Sequence, residues 1–346
     1  MPDFLRSLIV GATRLARPPI SSFHVGAVGL GSSGAVYVGV NMEFPNSALN
    51  CSVHAEQFLL VNCWQHGEQR IEYVAISAAP CGHCRQFYSE ISNSDEVQFL
   101  FGQDKTPKLL GELLPLRFGP RDLLEPGSKP VPLLLDPQHH TISPLRVKQR
   151  RNALQRRLAS SQVRFKDAEA QLHERAVAAA YNAATVAYAP YTSCPSGVTI
   201  VTRDGRQFSG SSIESAAYNP SLGPFQAAVV AAVVGGMKSL EESLTSPVAS
   251  EAEVQLSIIV IIQAAWQDAS FDGSTTYSTS ILLGRRDEPL LSLAARQVVQ
   301  QAGTAGYAMP MIICLGLKDH SMETIRELVK TINENNTWSA LAPDSP

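Results

Sequence analysis

The chain has 346 residues, of which 45% are hydrophobic and 17% are charged, and its formal net charge at pH 7 is −3. This length and composition are enough for two folded domains and exclude extensive disorder. The small negative charge does not favour general binding of polyanions, and no apolar run reaches the roughly 18 residues of a membrane-spanning helix. The most apolar short run, at 258–262, has the length of a buried strand.

The N-terminal segment allows two interpretations. Arg6, Arg14 and Arg17 alternate with apolar residues, as they do in organellar transit peptides. The same spacing predicts an amphipathic helix of the first domain over 4–17, which we favour. The six cysteines, scattered along a long chain, do not resemble a disulfide framework and indicate a reducing compartment. We therefore predict a cytoplasmic protein, with organellar targeting as the alternative.

Strands and helices alternate after this segment. Residues 25–30 and 35–40 are β-prone and are joined by Gly-Ser-Ser-Gly, which predicts a hairpin. The next predicted elements are a helix over 53–64, a strand over 73–77, a helix opened by Pro80 and a strand over 97–101. This order predicts an α/β sandwich in which helices cover a mixed sheet.

Two of these helices begin with residues that can bind a metal. The helix over 53–64 opens on His54-Ala55-Glu56, and the helix after Pro80 opens on Cys81-Gly82-His83-Cys84. One imidazole and two thiolates, from His54, Cys81 and Cys84, would leave the fourth tetrahedral position of a zinc ion to water. The two cysteines are three residues apart, so their sulfurs lie on one side of a helix. The H-x-E…P-C-x-x-C arrangement is typical of zinc-dependent deaminases.

Glu56 follows His54 by two residues, so its carboxylate can reach the same pocket without being a ligand. It can take a proton from the water, deliver it to a ring nitrogen and help to protonate a departing amine. One alternative is a closed structural zinc site with His83 or Cys51 as fourth ligand, although His83 should point away from the face that the cysteines share. Another is a thioredoxin-like redox pair, which leaves His54 and Glu56 unexplained.

Three further residues indicate a nucleoside substrate. Asn41 and Glu43 alternate to one face of a strand end, where an amide and a carboxylate can grip vicinal ribose hydroxyls. The carboxylate would repel a phosphate, which argues against nucleotides. Phe23 can stack on a base. The plainer interpretations are an ordinary polar strand end and core packing.

Residues 103–145 are rich in proline, leucine and glycine, and a basic run follows at 146–157. A basic run can bind nucleic acid, but no aromatic residues are interleaved with these charges to stack bases. We therefore interpret the run as a solvated linker or the polar face of a helix.

The second half of the chain repeats the first at an offset of 171 residues. Most of the repeated positions determine the backbone, which predicts one fold for both halves. At this offset His54 falls opposite Phe225 and Glu56 opposite Ala227, so the second copy should have kept the scaffold and lost the zinc. We expect it to serve in dimerisation and in walling the active site. The identical pairs are Pro19/Pro190, Ser22/Ser193, Gly26/Gly197, Gly34/Gly205, Gly39/Gly210 and Glu43/Glu214.

The chain resembles the cytidine deaminases, in particular the long homodimeric form of plants and enteric bacteria. The motifs that carry the resemblance are Asn41-Met42-Glu43-Phe44-Pro45, Val53-His54-Ala55-Glu56-Gln57, Pro80-Cys81-Gly82-His83-Cys84-Arg85-Gln86 and Phe118-Gly119-Pro120-Arg121-Asp122-Leu123. The resemblance implies a three-layer cytidine-deaminase-like sandwich, duplicated as a catalytic and a degenerate domain.

The resemblance also implies a role for each site residue. It implies zinc ligands at His54, Cys81 and Cys84, a proton shuttle at Glu56, ribose binding by Asn41 and Glu43, a base pocket lined by Phe23, and backbone hydrogen bonds from Ala55 and Ala79 to the pyrimidine edge. We accordingly predict a catalytic domain at 1–125, a linker at 126–165 and a degenerate, non-catalytic domain at 166–346.

The predicted reaction is hydrolysis of cytidine and deoxycytidine to uridine and deoxyuridine with release of ammonia, as in pyrimidine salvage. The predicted agents are zinc-bound hydroxide, with one zinc ion per chain, and the Glu56 carboxylate. The predicted partners are a nucleoside and a second copy of the chain, with neither nucleic acid nor membrane. Two other functions stay open: a polynucleotide deaminase, which needs a basic, aromatic-lined channel, and a non-catalytic interaction protein stabilised by zinc.

Overall fold

The structure is a computed structural model that describes residues 1–45, 49–102, 106–124, 133–136, 167–192, 194–202, 205–236 and 258–263, with single positions at 323 and 330. The basic run at 146–157, Ser193 and most of the predicted linker lie outside the described residues. Within the described ranges, no helix has the length and apolar character needed to cross a membrane.

The first domain is built on a five-stranded sheet. Its elements are α1 (Pro2–Thr13), β1 (Gly26–Gly31), β2 (Val36–Val40), α2 (Ala55–Gln65), β3 (Ile71–Ile76), α3 (Gly82–Phe87), β4 (Gln98–Phe101), β5 (Lys108–Leu109), α4 (Leu110–Leu113) and α5 (Pro120–Leu123). The strand order is β2-β1-β3-β4-β5. Strands β3 and β4 are parallel and the other neighbours are antiparallel, which confirms the predicted mixed sheet and hairpin.

Helices cover both faces of this sheet. Successive residues of β1 face opposite sides, so Ala27 joins the core under α2 whereas Val28 joins the core under α1. Leu5 and Ala12 of α1 are buried in that second core, so the N-terminal segment is the predicted helix of the first domain, although it ends at Thr13. The predicted α/β sandwich is confirmed in three layers.

The helix that follows Pro80 begins later than predicted. Cys81 is its N-cap residue, with an extended backbone at φ −71° and ψ 167°, and Gly82 is its first residue. Pro80 therefore precedes the helix and does not occupy its first turn. The shift places Cys81 just outside the helix and Cys84 inside its first turn.

The second domain repeats the central part of this architecture. Its described elements are α6 (Asp167–Thr185), β6 (Ser196–Val201), β7 (Gln207–Ser211), α7 (Pro224–Val234) and β8 (Ile258–Gln263). Strand β6 pairs antiparallel with β7 and with β8, as β1 pairs with β2 and β3. The predicted strand near 258–262 is confirmed.

Glycines fix the same geometry in the two copies. Gly34 and Gly205, in equivalent hairpin turns, have φ values of +83° and +81°, which residues with a side chain adopt at a cost. A Cβ atom on Gly39 would overlap the carbonyl oxygen of Ala55, and one on Gly210 would overlap that of Pro224. The close approach of a helix to the second strand of each hairpin therefore requires glycine in both copies.

The same contacts correct one prediction. Gly39 and Gly210 are 171 residues apart, but the helix residues that they contact, Ala55 and Pro224, are 169 apart. The loop before α7 is thus two residues shorter than the loop before α2. The residue opposite His54 is consequently Gly223, and the residue opposite Glu56 is Phe225, each two residues earlier than the constant offset predicted.

Candidate metal centre

The three predicted ligands meet where two helices begin. His54 is the N-cap residue of α2, Cys81 is the N-cap residue of α3, and Cys84 lies in the first turn of α3. The His54 Nδ1 atom is 3.5 Å from the Cys81 sulfur and 3.4 Å from the Cys84 sulfur. One ligand atom from each residue lies within 4.8 Å of the others. The structure therefore brings together side chains that are up to 30 residues apart in sequence.

These distances match a tetrahedral zinc ion. Zinc–sulfur bonds of about 2.3 Å and zinc–nitrogen bonds of about 2.0 Å, at tetrahedral angles, place sulfur and nitrogen about 3.5 Å apart. Among the described residues, neither His83 nor Cys51 belongs to the ligand group. Cys81 is exposed whereas Cys84 is buried, so solvent reaches the set from the side of Cys81. The arrangement is that of three protein ligands with one accessible position.

The two sulfurs also have the protonation chemistry of a cation site. The hydrogen bond from Cys84 lowers the pKa of Cys81 to about 3. That same bond, together with burial, raises the pKa of Cys84 well above its usual value. The pair thus holds one negative charge and resists a second, because the sulfurs are adjacent and Cys84 is buried. A divalent cation offsets that repulsion, which is the condition for two thiolate ligands.

Glu56 lies beside the ligands without joining them. Its side chain is buried, with 4% of the residue exposed, and it contacts the Cys84 side chain. Burial raises the pKa of its carboxyl group. The Tyr88 hydroxyl donates a 3.2 Å hydrogen bond to the backbone oxygen of Glu56, which fixes the first turn of α2. A buried carboxylate held in this way can carry a proton within the pocket.

Glu43 lies near this centre and organises the segment before β1. Its carboxylate accepts hydrogen bonds from the backbone N–H groups of Ile20 and Ser21, at 2.9 and 2.8 Å, and from the Ser21 hydroxyl at 2.6 Å. Burial raises the pKa of Glu43, but these bonds and the charge of His54 outweigh it, so the pKa lies below its usual value. Met42 and Val53 exchange backbone hydrogen bonds of 2.8 and 2.9 Å, which places Glu43 beside the segment that carries His54.

Asn41 also holds the segment before β1 in place through hydrogen bonds. Its Oδ1 atom accepts a 2.9 Å bond from the Val25 N–H, and its Nδ2 donates a 2.8 Å bond to the Phe23 carbonyl. Phe23 is 62% exposed, so the alternative of core packing is wrong for it. Ala55 is fully buried and Ala79 is exposed. The binding of a ribose and a base by these residues stays a prediction.

Gln57, for which the sequence predicted no role, and His83 connect the centre to its surroundings. Gln57 is 1% exposed; its Oε1 accepts a 3.2 Å bond from the His54 N–H, and its Nε2 contacts His83 Nε2 at 3.0 Å. The His83 ring stacks on that of His54, with ring centres 5.3 Å apart, and does not point away from the site as predicted. A glutamine three residues after the helix N-cap is a capping-box pattern, so the sequence did contain a signal for Gln57.

A buried carboxylate joins the two domains. Glu90 is fully buried and accepts bonds from the hydroxyls of Tyr188, at 3.0 Å, and Tyr191, at 2.6 Å, and from the Ala216 N–H at 2.7 Å. These three donors belong to the second domain. No sequence pattern marks Glu90, because its partners are about 100 residues or more away along the chain.

Three segments of the chain match known protein families. Residues 3–100 and residues 110–256 each match a family described as the cytidine and deoxycytidylate deaminase zinc-binding region. Residues 257–335 match a family described as proteasome assembly chaperone 3. The two deaminase matches correspond to the two copies of the fold.

Two relatives match about two thirds or more of the chain, and a solved structure matches a shorter part. The chain is 43% identical over 265 residues to cytidine deaminase 1 of Arabidopsis thaliana, a match that covers 72% of this chain and 81% of the relative. It is 37% identical over 229 residues to the cytidine deaminase of Shewanella halifaxensis, covering 66% of each chain. The solved cytidine deaminase of Mycobacterium tuberculosis is 31% identical, covers 34% of this chain and 96% of that chain, and has a TM-score of 0.31.

Proposed function

This chain belongs to the cytidine deaminase family, and from that premise we propose that His54, Cys81 and Cys84 hold its zinc ion and that Glu56 moves the protons of its reaction. Members of the family are zinc-dependent hydrolases, and the reaction of this chain is the hydrolytic deamination of cytidine. The residue assignment is supported above all by the spacing of the ligand atoms, which lies within about 0.1 Å of that of a tetrahedral zinc ion.

The reaction joins water to the C4 carbon of the base and releases ammonia. When bound, the zinc ion supplies a Lewis acid that lowers the pKa of water to about 7 in favourable sites. Glu56, buried beside Cys84, accepts the proton of the attacking water and delivers it to the ring nitrogen. The Glu56 carboxylate then takes the proton of the new C4 hydroxyl and passes it to the amine, so that the C4–N bond breaks, ammonia leaves, a C4 carbonyl forms and Glu56 ends the cycle ionised.

We propose that the substrate is a free nucleoside held by residues of the β1–β2 region. Asn41 and Glu43 would bind the ribose, Phe23 would contact the base, and the backbone of Ala55 and Ala79 would bond its edge. The support is that the bridge between Met42 and Val53 places Glu43 beside the segment of His54 and that Phe23 is exposed.

A pair of assays tests the function. Purified protein should contain one zinc ion per chain and should change the absorbance of cytidine and deoxycytidine. The Glu56→Gln variant should retain zinc while its turnover falls by at least about 10²-fold, because the proton carrier is lost. Undiminished turnover of this variant would refute the role of Glu56. Turnover of oligonucleotides in place of cytidine would support a polynucleotide deaminase, and zinc binding without any turnover would support an interaction protein.

We propose the domain limits 1–125, 126–165 and 166–346. The family match to residue 256 and the pairing of β8 with β6 support a deaminase-like second domain as far as residue 263. Within the linker, Leu134 is buried and pairs with Ile91, so this part packs on the first domain. Limited proteolysis with mass analysis of the fragments tests these limits.

The match of residues 257–335 favours a second candidate function for the C-terminal segment. We propose that this segment contributes to the assembly of protein subunits, as the name of the matched family indicates for its members. Size-exclusion chromatography of the full chain mixed with proteasome α and β subunits tests the proposal. Separate elution of all components would refute it.

We further propose that the protein is a cytoplasmic homodimer. The dimer is proposed from the resemblance of the chain to the long homodimeric form of the family. Cys63, Cys81 and Cys84 are thiols, as in a reducing compartment. Light scattering after gel filtration tests the dimer, and imaging of a fluorescent fusion in cells tests the compartment.

A further inference from the structure

Gln57 makes contacts in three directions from a fully enclosed position. Its Oε1 accepts a bond from the His54 N–H, its Nε2 donates to His83 Nε2, and the same Nε2 donates a 3.1 Å bond to the Pro220 carbonyl of the second domain. The first partner is a proposed zinc ligand, and the second lies between the other two ligands in sequence. One carboxamide therefore joins all the ligand-bearing segments to the other domain.

We propose that Gln57 is a positioning residue through which the second domain holds the metal centre in its reactive geometry. This inference rests on the proposed function of the centre. Gln57 is 1% exposed, so water cannot replace a lost partner. The stacked rings of His54 and His83 pass the constraint from the carboxamide to the ligands.

The simpler explanation is that Gln57 only caps α2. The equivalent glutamine of the second domain can be compared with Gln57 to test this explanation. At the structural offset of 169, Gln57 stands opposite Gln226, the third residue of α7. The Gln226 carboxamide also folds back on its N-cap residue, since a Cβ on Gly223 would lie 2.5 Å from its Oε1. A glutamine close to the N-cap residue is thus common to both copies, but of the two pairs only His54 and Gln57 form a capping box, and among the described residues the group of metal ligands lies only around Gln57.

The loop around Pro220, which accepts the bond from the Gln57 carboxamide, is held in one conformation by its own hydrogen bonds. The Ser221 hydroxyl accepts a 2.9 Å bond from the Ser215 N–H, and the Ser221 N–H donates a 2.9 Å bond to the Tyr218 carbonyl. Tyr218 has a φ value of +58°, in the left-handed region, which a residue with a side chain keeps only where its surroundings impose it. The Pro220 carbonyl is therefore a fixed point against which Gln57 can orient the ligands.

A charge-bearing, nearly isosteric variant separates the two explanations. Gln57→Glu keeps an oxygen to accept the His54 N–H but loses both donated bonds, and its second oxygen faces the Pro220 carbonyl. Gln226→Glu is the matched control, because it makes the same change at the equivalent helix position, outside the ligand group of the described residues. Gln57→Met removes the cap and the donated bonds together.

We expect Gln57→Glu to lower kcat and to speed zinc release to a chromophoric chelator, each by about 10- to 100-fold, as for other groups that orient metal ligands. KM for cytidine should change by less than about threefold, because ground-state contacts are untouched. Gln226→Glu should leave all three values near those of the unmodified chain. Wild-type kcat and zinc release in Gln57→Glu, with losses only in Gln57→Met, would show that Gln57 is a helix cap and overturn the proposal.

Two further results keep the test decisive. If Gln57→Glu does not fold, Pro220→Gly loosens the fixed carbonyl without removing it, and unchanged zinc release in that variant would overturn the proposal. If the unmodified chain binds zinc but does not turn over cytidine, the proposed function fails while faster zinc release in Gln57→Glu still supports the positioning role.

Discussion

The start of α2 and the start of α7 occupy the same place in two copies of one fold, yet within the described residues only the first carries a group of metal ligands. In the first copy, Glu43 accepts bonds from Ile20 and Ser21. In the second, Glu214 accepts the equivalent bonds from Tyr191 and Thr192. The second copy has thus kept the hydrogen bonds around the site without keeping the ligands. The bonds from the backbone to Glu43 therefore stabilise the fold, independently of any part that Glu43 takes in substrate binding.

The largest effect is expected from replacing the N-cap residue of α2 with the residue found at the N-cap of α7. His54→Gly installs the residue found opposite it, Gly223, and removes the nitrogen ligand. Zinc content and cytidine turnover should both fall to background. Glycine is a favourable N-cap residue, so the cap itself should lose only about a few tenths of a kcal/mol.

Metal analysis, a cytidine assay and a thermal melt of the apo forms measure these three effects. Equal melting temperatures of apo wild type and apo His54→Gly would confirm that ligand and scaffold are separable. Retention of stoichiometric zinc in the variant would contradict the assignment of His54.

A second comparison concerns Gly39 and Gly210, the glycines that allow a helix to approach the second strand of each hairpin closely. Gly39→Ala and Gly210→Ala each place a methyl group on the backbone of the facing helix, and each should destabilise its domain by about 1–3 kcal/mol or more. Urea unfolding measures the loss. Gly39→Ala should weaken zinc binding more than Gly210→Ala does, because His54 itself caps α2, whereas Gly210 can act on the metal centre only through the Pro220 loop and Gln57. Equal loss of zinc from both variants would mean that the domains do not respond separately.

Much of the fold and of the candidate metal site could be predicted from the sequence. The ligand motif, the hairpin glycines and the repeat are local patterns, and the structure confirms the mixed sheet and the grouping of His54, Cys81 and Cys84. The register of the second copy was wrong by two residues, because a constant offset cannot detect a shorter loop. The structure places Gly223, rather than Phe225, opposite His54.

The contacts between the copies could not be predicted. Glu90 and Gln57 depend on partners that only the folded chain brings near, such as the Pro220 carbonyl, 163 residues from Gln57. A backbone carbonyl carries no residue-specific signal, and a buried glutamate cannot be distinguished in sequence from an exposed one.

The difference in stability between the wild type and the Glu43→Gln variant should depend on pH. The folded pKa of Glu43 is lowered, so its contribution to stability is present above the usual pKa of a glutamate and is lost as the pH falls through the lower, folded value. Glu43→Gln should therefore be less stable than the wild type at neutral pH, and the difference should shrink in acid. Unfolding by urea at several pH values measures it. A difference that grows as the pH falls would contradict the sign of this shift.

The smallest effect is expected where the two copies meet. Tyr191→Phe removes one of the hydrogen bonds to Glu90, and a bond to a charged group contributes about 1.5–3 kcal/mol. The remaining bonds from Tyr188 and Ala216 limit the loss, so we expect the lower end of that range. Burial raises the pKa of Glu90, and protonation of its carboxyl weakens the bond from Tyr191; the difference between variant and wild type should therefore shrink as the pH is lowered.

Urea unfolding at neutral and acidic pH measures both quantities, with Tyr218→Phe, on an exposed side chain of the same domain, as the control. The control should show no loss that depends on pH, because its ring lies outside the hydrogen bonds to Glu90. A pH-independent difference for Tyr191→Phe would mean that Tyr191 stabilises the interface by packing and not through the charge of Glu90.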